Sequence, residues 1–118
     1  MKDNPLVDQS LQFALDILDF CKGTVQTPLN TNIISQILRC STSVSANIAE
    51  ANASCSKRDF KHKLSIALKE AKESEFWILL MKQSSFMDVK TYTRLNNECQ
   101  SIIKMLYKSI KTVSKSIK

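Results

Sequence analysis

Apolar residues return at steps of three and four in four successive stretches, the spacing that keeps side chains on one face of an α-helix. The first stretch predicts a helix that opens at Asn4 as cap, with Pro5 at its first helical position, and runs to about Gln26 before Thr27-Pro28 ends it. It carries two apolar stripes. Val7, Leu11, Ala14, Leu15, Leu18 and Val25 form one; Leu6, Phe13, Ile17 and Phe20 lie nearly opposite, with Asp16 and Asp19 between them. A helix that is apolar on two sides needs two neighbours, whereas each helix of a four-helix bundle has one inward face. The stripe of Phe13, Ile17 and Phe20 is therefore expected to meet another subunit, unless this helix lies unusually deep or the connection at Pro28 covers it.

The second helix, roughly Leu29 to Asn52, is expected to bury Ile34, Ile37, Ser41, Val44 and Ile48, with Leu38, Ser45 and Ala49 on the flank. Its other side carries Asn32, Gln36, Arg39, Ser43, Asn47 and Glu50, a polar row suited either to a neighbouring helix or to water. Ser56 followed by Asp59 resembles a capping pair, and the third helix then runs to about Ser85. Its core stripe is Phe60, Leu64, Ala67, Ala71, Ser74 and Ile78, while Ile66, Glu70, Glu73 and Trp77 share a second side next to Lys63. Asp88 caps the fourth helix, whose core side reads Tyr92, Leu95, Cys99, Ile102, Leu106, Ile110, Val113 and Ile117. With one Gly and two Pro in 118 residues, a fold of many tight turns is excluded, and long helices with short connections remain. The expected architecture is all-α: one domain over residues 1–118, an antiparallel up-down four-helix bundle.

Charge changes the picture on the fourth helix. Lys104, Lys108, Lys111, Lys115 and Lys118 fall on one narrow stripe opposite the core side, and no Asp or Glu stands between Cys99 and Lys118. A second basic run, Lys57-Arg58-Asp59-Phe60-Lys61-His62-Lys63, opens the third helix. Solvated lysine faces are common on soluble helices, but acids are normally interspersed among them. With a net charge of +6, the stripe together with Lys57, Arg58, Lys61 and Lys63 predicts a surface that contacts the phosphates of RNA or DNA. Few exposed aromatic side chains are expected, which argues against sequence reading by stacking.

Catalytic chemistry finds little support. Cys21, Cys40, Cys55 and Cys99 contain no C-x-x-C pair and have only His62 as a companion soft ligand, so no metal site is predicted. Three of the cysteines fall on or beside apolar stripes, a usage that suits a reducing cytoplasm. His62 sits among cations with no nucleophile arranged around it. Three residues separate Arg58 from His62, against the four to six of RNA-cleaving helical domains of the HEPN family, so that likeness fails at its defining motif. There is no Glu-x-x-His of the di-iron bundles, and Gly23 by itself makes no phosphate loop. Glu70 and Glu73 are expected instead to pair with Lys63, Lys69 or Lys72 at a salt-bridged subunit contact. The apolar run Phe76 to Met81 is far too short to span a bilayer, and no signal-peptide core follows Met1. A cytoplasmic, non-enzymatic protein without cofactor is the expectation.

Two blocks carry a family likeness: Gln36-Ile37-Leu38-Arg39 through Ser43 to Asn47-Ile48-Ala49-Glu50-Ala51 is one, and Asp59-Phe60 through Glu70, Glu73 and Trp77 is the other. The pattern resembles the four-helix-bundle proteins encoded in bacterial 23S rRNA intervening sequences, a family that includes the accessory variability proteins of diversity-generating retroelements. The resemblance implies a cyclic homopentamer, with a basic surface that in the retroelement members associates with nucleic acid and a reverse transcriptase. It also implies that Gln36, Arg39, Ser43, Asn47, Glu50, Glu70 and Trp77 are structural or interface groups. A reading from another class stands beside it: a scaffold that recruits a partner protein through the second stripe of helix one and the polar row of helix two, its charge serving solubility or steering.

Overall fold

The side chain of Asn4 accepts the Val7 amide at 3.2 Å, and with Pro5 behind it this cap starts α1, Pro5–Lys22. The computed structural model describes residues 4–117. Three further helices follow: α2, Thr31–Asn52; α3, Lys57–Gln83; and α4, Val89–Ser116. Ser56 accepts the Asp59 amide at 3.0 Å and Asp88 the Thr91 amide at 2.7 Å, so both expected caps form.

Helix ends depart from the expected ones by a few residues. α1 stops at Lys22, short of Gln26, because the Gly23 amide closes the last turn on Asp19 and Phe20 and the Thr24 hydroxyl donates to the Phe20 carbonyl at 2.8 Å. α2 begins at Thr31, two residues after Leu29. The buried Asn30 organises that connection, accepting the Thr27 amide at 2.8 Å and donating to the Val25 carbonyl at 3.1 Å. α3 ends at Gln83 in a Schellman motif: the Phe86 amide reaches the Met81 carbonyl at 2.9 Å and the Ser85 amide reaches Lys82 at 3.1 Å.

α1 packs on α2, α2 on α3, α3 on α4, and α4 closes on α1; among the described residues the diagonal helices bring no Cα atoms within 8 Å of each other. The result is an all-α up-down four-helix bundle measuring 49 × 24 × 23 Å. The stripes expected on α2 and α3 form its interior. Ile34, Ile37, Val44, Leu64, Ala67, Ala71, Ile78, Leu95, Cys99, Ile102 and Leu106 are all buried. Small residues at Ser41, Ala67, Ala71 and Ser74 let helix backbones approach closely.

On α1 the structure overturns the expected order of the two stripes. Phe13 and Ile17 are completely buried inside the protomer and Phe20 packs at the core margin, so this is no subunit-facing surface. Leu11, Leu15 and Leu18 are the exposed ones, at 52%, 46% and 38%. Spacing explains the choice. Asp8, Leu11, Leu15, Leu18 and Lys22 follow one another at steps of three and four, so the leucine stripe carries a charge at each end. Leu6, Ser10, Phe13, Ile17 and Cys21 make an uncharged stripe that enters the core without stranding an ion.

Candidate nucleic-acid interface

The register of α3 against α4 is read from their midpoints: the Cys99 thiol meets the Ala71 carbonyl at 3.3 Å, and Gln100 donates to Glu75. Antiparallel packing then carries the last turns of α4 to the first turns of α3. Ile117 closes a recess with Arg58, Lys61, His62 and Ser65, and Lys108 shares a groove with Phe60. Two basic runs separated by more than forty residues in the chain thus occupy one end of the bundle.

Lys104, Lys108, Lys111 and Lys115 are exposed, and among the described residues none of them is ion-paired. Lys118 lies outside the described residues. Lys57 and Arg58 are exposed and Lys61 is half-buried, all on the same end. Lys63 departs from expectation. Its ammonium sits 3.0 Å from Glu50, so it serves the α2–α3 seam and is not a free cation.

Most acids of the chain are answered elsewhere. Arg39 holds Glu70 at 3.2 Å and Glu73 at 2.6 Å, Lys72 holds Glu75 at 3.5 Å, and Arg94 lies 3.2 Å from Asp16 and 3.5 Å from Glu98. The positive excess is therefore left on the α4 lysines and the opening of α3, where little opposes it.

The polar row of α2 faces α3. Arg39 Nε donates to Gln36 at 3.2 Å while its guanidinium spans Glu70 and Glu73, and Trp77 Nε1 points at Glu73 from 3.5 Å. Asn47 Nδ2 donates back to the Ser43 carbonyl at 2.8 Å and to the Ser43 hydroxyl at 3.1 Å, tying the middle of the row to its own helix. Arg39, and not a lysine, is the partner of Glu70 and Glu73: it reaches across from α2, while Lys72 pairs with Glu75 along α3, Lys63 with Glu50, and Lys69 is exposed. Hydrogen bonding from Arg39 holds the Glu73 carboxyl below the ordinary carboxylate range, and Glu73 raises Arg39 in turn. Trp77 is half-buried, in an edge contact with Phe76 at 5.0 Å.

Cys21, Cys40 and Cys99 are buried and Cys55 is exposed. Burial pushes the Cys21 thiol up to about 11 and Cys99 up to about 12, which makes both inert as nucleophiles. Ser74 donates to the Glu70 carbonyl at 2.9 Å with its oxygen 3.2 Å from Cys40 Sγ, an internal polar pair of the core. Among the described residues no group of three or more His, Cys, Asp or Glu side chains is placed to hold a metal ion, and no helix is long and apolar enough to cross a membrane.

One constellation was missed by sequence reasoning. At the α1–α4 seam, Asp16 accepts from Gln12 at 2.9 Å and shares Arg94 with Glu98, beside a cleft of about 330 Å³ lined by Gln9, Gln12, Asn97, Glu98 and Ser101. Burial, with Asp16 close by, pushes Glu98 up to about 7 against the pull of Arg94. Only the four-residue steps from Gln12 to Asp16 and from Arg94 to Glu98 signalled any of it in sequence.

No curated protein matches the chain. Among solved structures, it is similar to a protein of unknown function from the S23 ribosomal protein family of Bacteroides thetaiotaomicron, at 40% identity and a TM-score of 0.85. That match covers 90% of this chain and 98% of the other. The family model for the 23S rRNA-intervening sequence protein matches residues 2–108, and with that the helices, the Arg39 seam and the Asn47-to-Glu50 block have their context: the chain belongs to the 23S rRNA-intervening sequence protein family.

Proposed function

We propose that this protein is a non-catalytic accessory protein that holds RNA or DNA through non-sequence-specific phosphate contacts. The observation that carries the reading is the row of exposed, unpaired ammonium groups at Lys104, Lys108, Lys111 and Lys115, joined at one end by Lys57, Arg58 and Lys61. Lysines at helical spacing on a rigid rod meet a polyanion as point charges, without the base-edge contacts that specify sequence. Affinity should then fall linearly with salt on logarithmic axes, with a slope of about −0.9 for each duplex phosphate neutralised. The test is retention of a generic RNA and a generic DNA across a salt series, for the wild type and for Lys104→Glu, Lys108→Glu, Lys111→Glu and Lys115→Glu combined. Loss of retention with an unchanged helical spectrum supports the reading; unchanged retention removes these lysines from it.

A second feature favours association between proteins. Leu11, Leu15 and Leu18 form an exposed apolar strip on α1, and α2 adds Ser35, Thr42, Ala46 and Ala49, exposed and uncharged at helical spacing. We assign this side to contacts between copies of the chain, five by the family resemblance, in a cytoplasmic assembly. Repetition of the lysine ridge by symmetry would multiply a weak contact. If the strip instead takes a different protein, such as a reverse transcriptase, the purified chain is a single protomer and its binding persists at high salt.

A further inference from the structure

At one end of the bundle α4 outruns α1, and the space left beside it has the lining of a nucleotide site. Asp16 pairs with Arg94, and seven residues earlier Gln9 meets Ser101 seven residues later, at 3.1 Å. Continued at that step, Pro5 lies level with Met105. α1 has 18 residues and α4 has 28, about 27 Å against about 42 Å at 1.5 Å per residue, so the final turns of α4 have no α1 alongside. The vacated flank is a groove of about 470 Å³ lined by Phe60, Lys108, Ser109, Thr112, Val113 and Ser116.

Its chemistry is graded from floor to rim. Phe60, partly buried against the core, and Val113 give an apolar wall. The Thr112 hydroxyl donates to the Lys108 carbonyl at 2.9 Å and the Ser116 hydroxyl to Val113 at 2.9 Å, so both oxygens remain as acceptors toward the groove. Ser109 can donate or accept. Lys108 stands at the rim and belongs also to the ridge, so a phosphate held there leaves its own base next to Phe60.

We propose that this groove takes an unpaired base, so that the nucleic acid preferred by the ridge is single-stranded. The inference rests on the phosphate-binding reading of the ridge and adds the strand state of the ligand. A planar ring on Phe60 gains stacking that does not depend on base identity, and the hydroxyl oxygens accept from exocyclic amino or ring N–H groups. In a duplex the bases are stacked inside and cannot enter, while the phosphates remain available to the lysines.

The experiment compares a fluorescent single-stranded RNA with a fully paired duplex of the same length, by anisotropy at fixed salt. The proteins are the wild type, Phe60→Leu, Ser109→Leu and Lys108→Ala, each checked for helicity. The wild type should favour the single strand by about fivefold or more, the scale of one base on an aromatic ring. Phe60→Leu, which keeps apolar packing, and Ser109→Leu, which fills the groove, should erase that preference and leave duplex binding unchanged; Lys108→Ala should weaken both probes. Equal affinity for the two probes in the wild type, or a preference that survives both leucine variants, overturns the groove while leaving the ridge intact. Failure of every protein to bind either probe at low salt overturns the ridge and the groove together.

Discussion

Glu73 of α3 lies 2.6 Å from the guanidinium of Arg39 on α2, which holds Glu70 as well. One planar cation thereby bridges two carboxylates three residues apart on a single helix face, a geometry that its fork of N–H donors suits. The segment around Arg39 is thus, within one protomer, a helix-pairing device whose outer edge is still about half exposed.

Arg39→Ala should leave Glu70 and Glu73 facing each other without a cation. Because the arginine is 48% exposed, the expected loss is about 1 kcal/mol and not the several of a buried pair. Arg39→Lys should restore only part of it, since an ammonium cannot serve both carboxylates with planar pairs. Urea denaturation measures both. The folded-state pKa of Glu73 is depressed, so its contribution is present at neutral pH and lost as pH falls through the folded value. The gap between wild type and Arg39→Ala should accordingly close in acid, and a gap that persists unchanged there would contradict the assignment.

Glu98 has the opposite sign. Its folded pKa is raised from 4.5 to about 7, so between those values the unfolded chain has released a proton that the folded protein keeps. Its contribution makes stability fall as pH rises from about 4.5 to about 7, where Glu98 ionises beside Asp16. Linkage sets an upper bound of about 3 kcal/mol, which exposure of roughly a quarter of the side chain reduces to the order of 1 to 2 kcal/mol. In Glu98→Gln that slope should vanish. Parallel pH profiles for the two proteins would remove Glu98 as its source.

Ser85 occupies the left-handed region at φ 68°, at the position of the Schellman motif that glycine usually fills. A Cβ there is strained, and glycine relieves the strain at some loss of unfolded-state order. Ser85→Gly should raise stability by about 0.5 to 1 kcal/mol, read as a higher thermal midpoint. Ser85→Val, with a branched β-carbon, should lower it.

The two stripes of α1 give opposite predictions. Phe13→Ala removes a fully buried ring and should cost about 3 to 5 kcal/mol, seen in the denaturation midpoint whatever the oligomeric state. Leu15→Asp alters a side chain already 46% exposed, so the fold of the protomer should change by no more than about 0.5 kcal/mol. If copies meet on the leucine strip, its native mass should drop to that of one chain. An unaltered mass above one chain would place the contact elsewhere.

The local pattern of the chain was enough to set the four helices, three of their caps and the inward faces of α2, α3 and α4, because apolar spacing and capping chemistry act within a few residues. Asn4, Ser56 and Asp88 cap as their spacing demands, and the core of α3 from Leu64 to Ile78 follows its stripe. The lysine row on α4 was legible for the same reason: opposite the core, its exposure follows from helix geometry. Three matters needed the folded chain. Burial of Phe13 and Ile17 instead of Leu11 and Leu15 depends on which of the two apolar stripes meets α2 and α4. Diversion of Lys63 to Glu50, and of Glu70 and Glu73 to Arg39, depends on side chains from separate helices reaching one point. The shared basic end and the Phe60 groove depend on the antiparallel register and on α1 being ten residues shorter than α4. Periodicity assigns a side to each helix, but only packing decides which sides meet and where one helix runs out beside another.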